Sequence, residues 1–103
     1  MKDSDKKLQE LSILEQNMQN ILLQKQAFQM EISETTSAIN EIKKSSDDVF
    51  KIVGQIMIRT NKDEILSELE NKEKLLNLRL SSLNKQEETL NDKIISLRED
   101  VLD

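Results

Sequence analysis

Gly54 is the only glycine in this chain of 103 residues, and there is no proline. These two residue types let a backbone reverse sharply, so a fold with many tight connections has little here to build them from. Only Phe28 and Phe50 carry aromatic rings, which leaves little bulk for a globular core. Sandwich, barrel and α/β architectures are disfavoured on these counts. Long, uninterrupted helices remain.

The apolar residues fall where such helices need them. Leu11, Leu14, Met18, Ile21, Lys25, Phe28, Ile32, Thr35, Ile39 and Ile42 follow one another in alternating steps of three and four, and eight of the ten are apolar. That is the 3.5-residue period of a coiled-coil seam. Lys43 and Lys44 then supply positive charge where a helix C-terminus favours it, and Ser45-Ser46-Asp47-Asp48 ends the pattern with residues that bond their own backbone. A second arm repeats the period at Leu66, Leu69, Glu73, Leu76, Leu80, Leu83, Glu87, Leu90, Ile94, Leu97 and Val101, with nine of eleven positions apolar. Thr60 with Asp63, or Asn61 with Glu64, has the spacing of a capping box at its start. Each arm of near 40 residues predicts a helix of roughly 60 Å, and two matched arms around a short centre predict an antiparallel helical hairpin.

The seam exceptions set a register. With Ile42 opposite Leu66, Thr35 faces Glu73, and Lys25 falls within one turn of Glu87. A Lys25–Glu87 pair is expected to fix register more than to add stability. The alternative is that both side chains merely snorkel out of the seam.

The centre differs in kind. Val49, Phe50, Ile52, Val53, Ile56, Met57 and Ile58 make the segment from 49 to 58 mostly apolar and rich in β-branched residues, with Gly54 in the middle. Two short strands joined at Gly54-Gln55 fit, because glycine at the first turn position suits a type II′ hairpin; a buried bend between helices is the alternative. Such a hairpin is apolar on both faces, and an isolated one is marginal in water. It is therefore expected to be an oligomerisation element.

Composition excludes much chemistry. With no His and no Cys there is no Cys–His or Ser–His–Asp arrangement and no common zinc site. One glycine cannot make a phosphate-cradling loop. No enzyme activity, cofactor or metal is expected. Net charge is −5 without a basic run, which argues against nucleic acid. No apolar run approaches the roughly 18 residues of a membrane span, and the first residues lack a signal-peptide core. A soluble, cytoplasmic chain is expected.

Two coiled-coil arms joined by one strand hairpin, with VFKIVGQIMIRTNKDEILSELENKEKLL across the junction, resemble a β-type prefoldin subunit. That family carries a Val-aromatic-Lys-aliphatic-aliphatic-Gly run, matched here by Val49 to Gly54. An aliphatic second strand follows, matched by Ile56 to Ile58, then a polar turn and a Leu-rich helix from Arg59 onward. A single hairpin is the β-type pattern, since α-type subunits carry two. The resemblance implies a mostly α fold, an antiparallel two-helix coiled coil with a short central β-hairpin that oligomerises into a β-barrel platform. One prefoldin-like domain would span 1–103, with helices over 5–44 and 62–102 and the hairpin over 49–59. It also implies an ATP-independent holdase, in which two α-type and four β-type subunits form a hetero-hexamer. The coiled-coil tips would bind unfolded client proteins and pass them to a group II chaperonin. The short stretch before the first heptad and the end after Val101-Leu102-Asp103 depart from the family and are expected to trim the tips.

Leu8 and Ile13 in the first arm, and Ile95 and Leu102 in the second, are apolar but off the seam, and Leu11 and Val101 lie beside them on it. These six are the candidate client contacts, by the burial that drives folding; scattered exposed Leu and Ile are also ordinary on any surface. Leu75 and Leu78 read as packing surface near the hairpin, while Leu22, Leu23, Ala27 and Met30 suit either a client surface or packing. Residues 85–103 hold Glu87, Glu88, Asp92, Glu99, Asp100 and Asp103 against Lys85, Lys93 and Arg98. This acidic end is either a docking patch for a basic surface or a solubilising face. A structural coiled-coil tether without client binding is the competing function; it explains the apolar centre poorly.

Overall fold

The computed structural model describes residues 3–46 and 48–102, so Asp47 in the first helix stop and Asp103 in the acidic end lie outside the described residues. Four elements follow in order: α1 (Asp3–Lys44), β1 (Val49–Val53), β2 (Ile56–Thr60) and α2 (Lys62–Leu102). Neither helix contains a glycine or proline to interrupt it. Both begin with acidic first turns, Asp3 and Asp5 in α1 and Asp63 and Glu64 in α2, which suits the positive end of a helix dipole. Contacts divide the chain into two compact units, one of Met1–Phe28 with Arg79–Asp103 and one of Gln29–Leu78.

The Gln29–Leu78 unit holds the hairpin and the adjoining helix ends. Asn61 is the cap of α2: its Oδ1 accepts the Asp63 N–H at 2.8 Å, and its carbonyl accepts the Ile65 N–H at 3.0 Å. Of the two cap positions open in the sequence, Asn61 is the one used, through its bond to the Asp63 N–H. The C-terminus of α1 is closed by the other helix. Lys62 Nζ donates to the Lys43 carbonyl at 3.2 Å and the Ser45 carbonyl at 2.8 Å, satisfying acceptors that the helix itself leaves open. Thr35, Ile39, Ile65 and Leu76 are buried here. Thr35 keeps its hydroxyl satisfied inside the seam by donating to the Glu31 carbonyl at 2.8 Å. Glu73 reaches the exposed neighbour, accepting from Thr36 Oγ1 at 2.7 Å, so the carboxylate leaves the seam and avoids burial.

In the other unit Leu83 and Ile94 are buried. Lys25 Nζ pairs with Glu87 Oε2, both side chains less than a third exposed. Arg98 Nη2 meets Glu15 Oε1 at 2.8 Å. Position numbers fall along α1 as they rise along α2, so the helices run antiparallel. The pairing alternative for Lys25 and Glu87 is the one adopted.

Candidate functional site

The hairpin is built by local rules. Val53 pairs with Ile56 across the two-residue turn, and the register continues through Ile52↔Met57, Lys51↔Ile58, Phe50↔Arg59 and Val49↔Thr60. Gly54 has φ +63°, and no other residue type takes a positive φ among the described residues. A positive φ at the first turn position alone matches the type II′ turn and not the type I′ turn, which needs two. A Cβ on Gly54 would meet nothing within 4 Å. The demand for glycine is therefore one of backbone conformation, not space.

Directly opposed residues share a face and successive residues alternate. One face thus carries Phe50, Ile52, Met57 and Arg59. The other carries Val49, Lys51, Val53, Ile56, Ile58 and Thr60. The second face is tied to α2 by Lys51, whose Nζ lies 3.0 Å from Glu68 Oε2, and Val49, Lys51 and Thr60 are half-buried there. On the first face Arg59 sits 6.0 Å from the Phe50 ring centroid and is held by Asp48 at 2.7 Å. Towards the turn both faces are bare: Ile52 is 70% exposed, Ile56 and Met57 65% each, with Phe50, Val53 and Ile58 near half. Among the described residues the sheet has two strands, and neither of its edges has a partner strand.

The second candidate surface lies at the helix ends of the Met1–Phe28 with Arg79–Asp103 unit. Leu8, Ile13, Ile95 and Leu102 are exposed, and Leu11 and Val101 are half-buried on the seam. Glu10, Asp92 and Asp100, with Lys93, line a groove of about 470 Å³ beside Leu14 and Leu97, so the acidic excess read from residues 85–103 is shared by α1. Leu22, Leu23, Met30, Leu75 and Leu78 are exposed as well. Among the described residues no group of three or more acidic side chains is placed to hold a metal ion, and no helix is long and apolar enough to cross a membrane.

Two features escape sequence reasoning. The Lys62 bridge to Lys43 and Ser45 joins residues far apart in the chain, and no local pattern signals it. The hairpin expected over 49–59 includes Arg59, which pairs with Phe50, but the second strand runs one residue further, to Thr60 opposite Val49; the alternation from Ile56 is the signal that extends it.

A single positive-φ hairpin set between two antiparallel heptad helices is a specific arrangement, and residues 5–102 match the family described as prefoldin subunit. The chain belongs to the prefoldin family. Prefoldin subunit beta of Pyrococcus furiosus is 36% identical over 96 residues, covering 91% of this chain and 82% of that protein. The subunit of the same name from Thermococcus kodakarensis is 38% identical over 92 residues, covering 87% and 79%. The crystal structure of the prefoldin beta subunit from Thermococcus strain KS-1 superposes with a TM-score of 0.92 at 32% identity, covering 98% of this chain and 90% of that one. The prefoldin fold and the β type follow from these matches, and both are consistent with a chaperone subunit.

Proposed function

We propose that this chain, a single prefoldin-like domain over 1–103, is a subunit of an ATP-independent cytoplasmic holdase. Its hairpin joins α-type prefoldin subunits and further β-type copies in a hetero-hexamer around a β-barrel platform. The ends of its helices hold unfolded client proteins for delivery to a group II chaperonin.

The observation that carries this reading is the exposure of six large apolar residues on a hairpin that its own helices do not cover. Covering them would contribute roughly 5–10 kcal/mol per hairpin. Association costs on the order of 4–15 kcal/mol in lost freedom. A simple pair of hairpins is then weak, and a closed ring that covers each hairpin on both sides is favoured. At the helix ends, Leu8, Ile13, Ile95 and Leu102 present apolar surface, and half-buried Leu11 and Val101 add to it when the last turns open. An unfolded chain offers matching apolar side chains, and burial needs no sequence preference.

The test replaces Leu8, Leu11, Ile13, Ile95, Val101 and Leu102 with Gln. The expected result is loss of aggregation suppression for a denatured client with assembly intact. Full suppression by the variant complex overturns the client role of these six residues.

A further inference from the structure

Two connections of unequal length carry the hairpin. Four residues, 45–48, join α1 to β1, whereas Asn61 alone joins β2 to α2. Each residue adds two soft dihedrals, so the hairpin can rock about the short connection unless the long one is fastened. Lys62, the first residue of α2, fastens it: its Nζ donates to the Ser45 carbonyl at 2.8 Å and the Lys43 carbonyl at 3.2 Å. The needs of α2 itself do not account for this residue. A helix N-terminus favours acids, as Asp63 and Glu64 show in the same turn. A lysine there is favourable only to the neighbouring helix, whose last carbonyls are the negative end of α1. The Ser45 N–H already turns back to the Glu41 and Ile42 carbonyls, and Lys62 takes the next acceptors along. The Arg59–Asp48 and Lys51–Glu68 pairs also bridge this region, but their side chains are well open to water, and exposed pairs hold weakly. Lys62 is half-buried and makes two charge-assisted bonds.

We propose that Lys62 is a positioning residue: it clasps the neck of the hairpin and holds the bare strands in one orientation on α2 before they meet another subunit. This deepens the assembly reading and rests on it. Ile52, Val53, Ile56 and Met57 lie towards the turn, while Lys62 stands beyond the opposite end of the strands. The clasp therefore acts on the contact surface without entering it. A closed ring needs every hairpin aimed alike, and aim achieved in the free chain is not subtracted from the affinity. A hairpin in the competent orientation only a tenth of the time binds about tenfold more weakly.

The experiment uses the full chain, which has no cysteine of its own, with spin labels at Gln55→Cys in the turn and Asn71→Cys in α2. Labelled chain is diluted with unlabelled chain, so that only distances within one chain are read. Lys62→Met keeps the stem and removes the charge; Lys62→Arg keeps charge and donors. Circular dichroism confirms retained helix, and Lys62→Gln, shorter but still polar, is the form to be read should the Met form lose it. The spread of the distance is expected to widen about twofold in the Met form and to stay at its original width in the Arg form. Association of the Met form with an α-type prefoldin subunit is expected to weaken about tenfold, with helix melting unchanged. A Met form as narrow as the original overturns the proposal, as does an Arg form as wide as the Met form. A wide distance spread with undiminished association overturns the link to assembly. An original chain that does not join the partner overturns the assembly reading itself, while the distances, read without the partner, still decide whether Lys62 holds the hairpin.

Discussion

The helix seam and the β-hairpin use the same kinds of residue and treat them in opposite ways. Ile39, Leu76 and Ile94 are at most 5% exposed, while Ile52, Ile56 and Met57 are at least 65% exposed. The seam residues face a second helix of the same chain, and their burial belongs to its folding. The hairpin residues have no such neighbour, and the polar contacts at the hairpin, Lys51 with Glu68 and Arg59 with Asp48, leave the apolar end towards the turn bare. One chain thus separates the surface that makes it fold from the surface proposed to make it assemble, and mutations should divide in the same way.

The largest expected effect is on assembly. Ile52→Asp with Met57→Asp should weaken association with a prefoldin partner by about a hundredfold or more, because each places a charge in the centre of the contact. Helix content by circular dichroism should not change; a chain that loses its helices with these substitutions would join what the comparison separates. Ile94→Ala should do the reverse. It removes buried volume from the seam and should lower the unfolding free energy by about 2–5 kcal/mol, measured by denaturant titration, with hairpin contacts retained.

Smaller effects sharpen the boundary between the two. Gly54→Ala should cost about 1–2 kcal/mol through the left-handed backbone alone, since nothing obstructs the added methyl. That loss should appear in assembly more than in helix melting. A double-mutant cycle on Lys25→Met and Glu87→Met should give a coupling of about 0.5–1 kcal/mol. The pair is half-buried between helices, so the coupling should appear in the melting of the helices and be absent from association.

The seam was legible because its physics is periodic. A helix that faces one other helix buries every third and fourth residue, and Ile39, Leu76, Leu83 and Ile94 all fall on that period. Ile65 is buried too but lies one position before Leu66, in the first turn of α2. Beside the strand–helix junction the neighbours are no longer only a second helix, and a helical period stops reporting burial. Glu73 meets Thr36 instead of Thr35 for a related reason: the period places backbones, while a carboxylate on a flexible stem seeks the wetter neighbour. At the hairpin, the apolar run and Gly54 announce the turn, but the face on which each residue stands follows only from the register. The roles of Leu8, Ile13, Ile95 and Leu102 are not written in any period, because an exposed leucine looks the same whether or not something binds it.

The most direct measurement is native mass spectrometry of the full chain mixed with an α-type prefoldin subunit, with the Ile52→Asp, Met57→Asp form in parallel. The expected result is a complex of four copies of this chain with two of the partner, and its absence with the substituted form. A chain that stays monomeric beside the partner, or a substituted form that assembles as well as the original, would contradict the claim that the bare hairpin is the assembly surface.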